Sequence, residues 1–157
     1  MGKSQFTIKP GVQEVVGTRT FDAPREAVFK AHTDPKAIAQ WWGLRSSVTT
    51  VDKLEPREGG RWRFVQRGSD GQEDGFHGVF HAVVPPERIV QTFEYEGTPG
   101  HVLMETLTLA EENGKTVLTS QSVYQSVEDR DGMVAAGMEV GANETLDRLE
   151  ELLGRSP

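Results

Sequence analysis

The chain contains no cysteine, so disulfides, thiolate metal sites and thiol nucleophiles are all excluded. Any chemistry must come from imidazoles, carboxylates, hydroxyls and amides. His77 and His81 stand four apart. On a helix that spacing would put two imidazoles on one face, but GFHGVFHAVV reads as a strand. Four strand residues span about 13 Å, too far for both rings to bind one Zn²⁺. No resident metal is expected. Gly114-Lys115-Thr116 ends like a phosphate loop, yet Leu109 stands where that motif needs glycine. No G-x-G-x-x-G opens a helix after a strand and no G-x-S-x-G elbow is present, so no nucleotide cofactor and no ordinary serine hydrolase are expected.

What remains is a set of aromatic and small polar residues suited to a pocket. Trp62, Phe64, Phe80, Phe93 and Tyr95 would cluster on the concave side of a curved sheet. Ser120, Ser122 and Tyr124 share one parity with Leu118 and would look inward. Trp41 and Trp42 end a short helix, where adjacent positions point about 100° apart. One of them can cap a cavity while the other faces the sheet edge or solvent. Gln66, Gln91 and Glu105 are weaker candidates because pattern does not fix their registers. A carboxylate such as Glu105 in an apolar pocket would have a raised pKa and could act as acid or base; the favoured reading of Glu105 is a solvated strand residue.

The 157 residues suit one domain, 1–157, with residues 1–10 a loose polar lead-in. Apolar residues make up 36% and charged residues 26% of the chain, a globular composition. Seventeen Lys and Arg against 24 Asp and Glu give a net charge of −7, the wrong sign for a nucleic-acid surface. No run approaches about 20 apolar residues and the first residues lack an apolar signal core, so the expectation is a cytoplasmic protein that meets no membrane.

Val12–Phe21 is rich in β-branched residues and reads as a strand. Asp22-Ala23-Pro24 opens a helix with Asp22 or Ala23 at its cap and Pro24 in its first turn, and Thr33-Asp34-Pro35 opens a second, stopped by Gly43. Six strands follow over 47–54, 60–67, 75–84, 88–95, 101–109 and 116–124, separated by Gly- and Pro-rich turns too short for parallel crossovers. From Val127 to Leu153 the period changes. Ala135, Met138, Ala142, Leu146, Leu149 and Leu153 fall on one stripe of a long helix. Arg130, Asp131, Arg148, Glu150 and Glu151 read as its solvated face. One helix is narrower than seven antiparallel strands, so the sheet must curl around it. Space that the small residues Ala135, Gly137, Gly141, Ala142 and Thr145 cannot fill becomes a cavity.

Several blocks have a recognisable order: FDAPREAVFKAHTDPKAIAQWWG, a Gly-Gly-Arg-Trp-Arg-Phe strand, HGVFHAVVPPERIV, NGKTVLT and GMEVGANETLDRLEELL. Together they resemble bacterial START-like (SRPBCC) proteins of the activator-of-heat-shock-ATPase-homologue type, over about Val12 to Leu153. The resemblance implies an α+β helix-grip fold: a seven-stranded curved antiparallel sheet around a long C-terminal helix, with two short helices after the first strand. It also implies a hydrophobic pocket. Relatives often carry a Trp and a basic residue just after the second glycine of the last block, where this chain has Ala142 and Asn143.

The expected function is binding of a small apolar or aromatic molecule, for carriage, sensing or sequestration. The expected lining comprises Trp41, Trp42, Trp62, Phe64, Phe80, Phe93, Tyr95, Ser120, Ser122, Tyr124, Met138, Gly141, Ala142 and Thr145, with no cofactor. Two alternatives stay open: an enzyme of cyclase, dehydratase or hydrolase type using the same cavity, and a module that partners a heat-shock ATPase. A homodimer is also left open.

Overall fold

A computed structural model describes residues 4–154; residues 1–3 and 155–157 of the expected domain lie outside them. In chain order the elements are β1 (Gln5–Thr7), β2 (Glu14–Phe21), α1 (Arg25–Thr33), α2 (Pro35–Trp41), β3 (Val48–Leu54), β4 (Arg61–Arg67), β5 (Glu73–Val84), β6 (Arg88–Tyr95), β7 (Val102–Glu112), β8 (Lys115–Val123), α3 (Val127–Ala135) and α4 (Met138–Gly154). The architecture is α+β with one antiparallel sheet in the order β1-β2-β8-β7-β6-β5-β4-β3.

Consecutive strands from β3 to β8 are neighbours, as their short turns require. β2 and β3, by contrast, lie near opposite ends of the sheet. The connection between them therefore crosses the concave face, and α1 and α2 make that crossing. Breaks in register between Val51 and Lys53 and between Phe80 and Ala82 mark irregularities of the bulge kind, which bend a sheet. Trp62, Phe64, Phe80, Ile89, Leu109 and Leu118 form the buried inner face, and Leu149 of α4 is fully buried against it. No described helix is long and apolar enough to cross a membrane.

Four expectations need correction. There are eight strands, not seven, because Gln5–Thr7 pairs antiparallel with Val16–Thr18. Three residues are too few to show a period, so the segment looked like a loose lead-in. The first helix begins at Arg25 with Pro24 at its N-cap position and no side-chain cap. The long final helix is two helices. Gly137 sits at φ 92°, a left-handed conformation that glycine adopts freely. The chain turns there, so Ala135 and Gly137 are exposed and leave the core stripe. Finally, the expected solvated helix face is partly structural. Arg130 is buried and donates to the carbonyls of Lys9 and Glu14 at 2.9 and 3.2 Å. Arg148 donates to the carbonyls of Gln40, Gly43 and Leu44 at 2.7, 2.8 and 3.2 Å, satisfying the C-terminal end of α2.

A further tie joins sheet to helix. The Arg19 side chain on β2 is fully buried and pairs with Asp147 at 2.7 Å and Glu150 at 3.2 Å on α4. Its guanidinium carbon also lies 5.7 Å from the centre of the Phe21 ring. Charged groups this deep are tolerated only when paired.

Candidate functional site

Between the sheet and the helices lies a cavity of about 440 Å³. Its sheet wall begins with Trp62 and Phe64 on β4, both buried. Gly78 lets the Trp62 indole lie across β5: a Cβ there would stand 2.5 Å from the indole nitrogen and 1.9 Å from the Thr92 carbonyl oxygen. The indole N–H reaches that same oxygen at 3.2 Å. Phe76 and Phe80 of β5 and Ile89 and Phe93 of β6 continue the wall, with Leu107 and Leu118 beyond them.

The helical side comes from α1, α2 and α4. Trp41 is buried, donates from its indole nitrogen to the Ala31 carbonyl at 2.9 Å, and meets His32 edge-on at 4.9 Å. Trp42 does not follow it around the helix. Its φ of −72° and ψ of 128° are extended, which ends α2 and turns its ring onto the aromatic wall. The ring centre lies 5.1 Å from Phe64 and 5.2 Å from Phe76. Both tryptophans line the cavity, and Trp42 meets the aromatic wall rather than the sheet edge or solvent. From α4, Met138, Gly141, Ala142, Thr145 and Leu146 close the other side. The Thr145 hydroxyl donates to the Gly43 carbonyl at 3.2 Å, which fixes α4 to the turn after α2.

Three of the expected lining residues lie outside this cavity. Tyr95 and Tyr124 line a second cavity of about 720 Å³, which shares Leu44, Gln66, Phe76 and Phe93 with the first. Tyr95 donates to Asp74 at 2.7 Å. The Tyr124 hydroxyl sits 3.6 Å from the Met138 sulfur, and burial, helped by the charge of Glu105, pushes its phenol up to about 12. Ser122 lies on the inner face opposite Val15 and Glu105 but lines neither cavity.

The sheet wall is crossed by one row of polar groups. Register sets Gln91 opposite Glu105 and Glu105 opposite Ser122, and Gln91 Nε2 donates to Glu105 Oε1 at 2.9 Å. Burial raises the Glu105 carboxyl above its ordinary value, opposed by the bond from Gln91. Ser120, one step along β8, lines the same cavity. His32, on the helical side, has Nδ1 2.8 Å from the Val28 carbonyl, and burial holds its pKa below the ordinary imidazole value against that bond.

Sequence reasoning missed His32, Phe76 and Phe6 as lining residues. His32 stands four residues after the buried Val28, and Phe76 has the parity of Phe80, so both carried a usable signal. Phe6 carried none, since its strand is too short. On the outer face, the His77 ring lies between Glu94 at 3.3 Å and Glu96 at 2.8 Å, and Glu96 also pairs with Arg63 at 2.8 Å. Among the described residues no group of three or more His, Asp or Glu is placed to hold a metal ion.

Solved structures share this architecture. A protein from Rhodobacter sphaeroides is 28% identical, with 98% of this chain and 99% of that one covered at a TM-score of 0.90. A Chromobacterium violaceum protein is 26% identical over 92% and 99%, at a TM-score of 0.82. One from Mycobacterium smegmatis, at 23% identity over 98% of each chain and a TM-score of 0.87, shows likeness of fold alone. No curated protein matches the chain. Residues 22–154 match the family described as Activator of Hsp90 ATPase homolog 1-like protein. With its helix-grip fold and that match over most of its length, the chain belongs to the activator of Hsp90 ATPase homolog 1-like family.

Proposed function

We propose that the protein binds a small apolar or aromatic molecule between its sheet and its helices, and that carriage, sensing or sequestration of that molecule is its role. The observation that carries this reading is the cavity of about 440 Å³, walled by aromatic rings and aliphatic side chains with a few polar groups among them, including the paired Gln91 and Glu105. Its volume falls within the roughly 300–1,000 Å³ range of small-molecule sites, and its composition is of the same kind. A ligand burying about 300 Å² of apolar surface at roughly 25 cal/mol/Å² gains about 7 kcal/mol before the costs of association. A few polar contacts then suffice for micromolar affinity.

Native mass spectrometry of freshly purified protein should reveal a co-purifying small molecule. A thermal-shift screen of apolar aromatic compounds should raise the melting temperature by several degrees at saturating ligand, since a hundredfold excess over Kd adds about 2.7 kcal/mol. A mass matching the bare chain together with a flat screen would defeat the proposal.

A further inference from the structure

The cavity wall is apolar apart from a few groups, and most of those bond to the protein itself. The Gln66 amide donates to Thr49 Oγ1 at 3.2 Å, and Thr145 donates to the Gly43 carbonyl. Unused capacity remains on the Ser120 hydroxyl, the Trp42 indole N–H and the amide oxygens of Gln66 and Gln91, none with a hydrogen-bond partner among the described residues, and on two ionisable groups of the wall. Glu105 Oε1 accepts the Gln91 N–H, while Oε2 has no hydrogen-bond partner among the described residues. The row to which Glu105 belongs lies between two apolar rows of the sheet, Ile89 with Leu107 on one side and Phe93 with Leu103 on the other.

His32 is the second group. A carbonyl oxygen only accepts, so the 2.8 Å contact with Val28 places the ring proton on Nδ1. Nε2 is then a bare acceptor, without a partner among the described residues, on a ring that lines the cavity. Trp41, packed edge-on at 4.9 Å, and the Val28 bond together fix the ring's orientation.

Resting on the reading of the cavity as a ligand site, we infer that these two groups select its ligand: Glu105, oriented by Gln91, donates a hydrogen bond to a carbonyl oxygen, and His32 Nε2 accepts one from a hydroxyl. The ligand class is therefore the neutral hydroxylated aromatic ketones. Burial favours the uncharged form of both side chains, which is the form each needs for this role. Neither group serves the fold in an evident way. A half-used carboxyl set in an apolar wall lowers stability, and such departures from good packing are expected where a site is built. Carboxylic acids are disfavoured, since a ligand carboxylate would leave water for an apolar cavity lined by no Lys or Arg to pair with it.

The test uses fluorene, fluorenone, hydroxyfluorene and fluorenecarboxylic acid as rigid probes, with affinities measured by equilibrium dialysis. On the unaltered protein, fluorenone and hydroxyfluorene should each bind about tenfold more tightly than fluorene, the size of one good hydrogen bond. The acid should bind more weakly than fluorene. Glu105→Leu should erase the advantage of fluorenone and leave that of hydroxyfluorene, while Glu105→Gln, which keeps an N–H donor, should restore it. His32→Phe, which keeps a ring against Trp41, should erase only the advantage of hydroxyfluorene. Fluorene, fluorenone and hydroxyfluorene binding within a factor of two of one another would overturn the inference while leaving the apolar site intact. Absence of binding by fluorene itself would overturn the reading of the cavity and the inference with it.

Discussion

Ala142 offers the most direct test of whether the space beneath the sheet is a ligand site or a packing defect. It lies on α4, is half-buried and lines the cavity. Replacing it with leucine adds three carbon atoms. At about 0.8 kcal/mol for each fully buried carbon the upper limit is about 2.4 kcal/mol. Because the position is only half-buried, about 1 kcal/mol is the expected gain, or roughly 2–4 °C in Tm for a chain of this length. The same atoms take apolar surface from any guest, so fluorene should lose at least tenfold in affinity, about 1.4 kcal/mol. Val140→Leu is the control, since Val140 sits two residues away on the same helix and is 76% exposed. It should change neither quantity. Melting by calorimetry and fluorene dialysis on both variants supply the data. An Ala142→Leu protein that melts lower and binds fluorene as tightly as the parent would refute the reasoning.

Three further outcomes follow from the buried polar groups. Glu105 has its folded pKa raised above the ordinary 4.5, so the folded state holds the proton that the unfolded state releases. Stability then falls as pH rises from 4.5 through the folded pKa, and Glu105→Gln should be more stable than the parent at pH 7, with the difference closing in acid. Urea titrations across pH check the sign. Arg19→Met takes the buried cation from Asp147 and one of the partners from Glu150 and should cost about 3 kcal/mol in the same assay, the lower end for a broken buried pair because both carboxylates keep some solvent contact. Tyr95 and Tyr124, the two tyrosines of the chain, both have raised pKa values, Tyr95 first through its bond to Asp74 and Tyr124 mainly through burial. Absorbance titration should show both phenols ionising above the ordinary value, Tyr124 last and near 12; two phenols ionising together at the ordinary value would show that Tyr124 is not enclosed.

The aromatic cavity wall is the product of two different kinds of information. Period-two alternation placed Trp62, Phe64, Phe80 and Phe93 on one face, and a helical stripe supplied Met138, Ala142 and Leu146 from the other side. These assignments needed only local geometry, since side-chain direction follows directly from backbone period. The turn residues supplied the antiparallel neighbours from β3 to β8 for the same reason. Blocks such as QWWG and VVPPERIV added the family, and with it the grip of sheet on helix.

Tertiary structure decided everything that depends on pairing between distant segments. Whether Glu105 faces a cavity or solvent is set by a register joining it to Gln91 and Ser122 across three strands, and a slip of one residue would reverse it. Helical period could not reveal the break at Gly137, because the spacing of apolar residues in the sequence is the same whether or not one glycine between them turns the chain. Arg148 reads as an ordinary surface cation until the fold sets the exposed carbonyls of α2 against it, and local pattern says nothing of the carboxylates that meet Arg19. Local pattern fixes which face a side chain takes; what stands opposite that face is a property of the assembled chain alone.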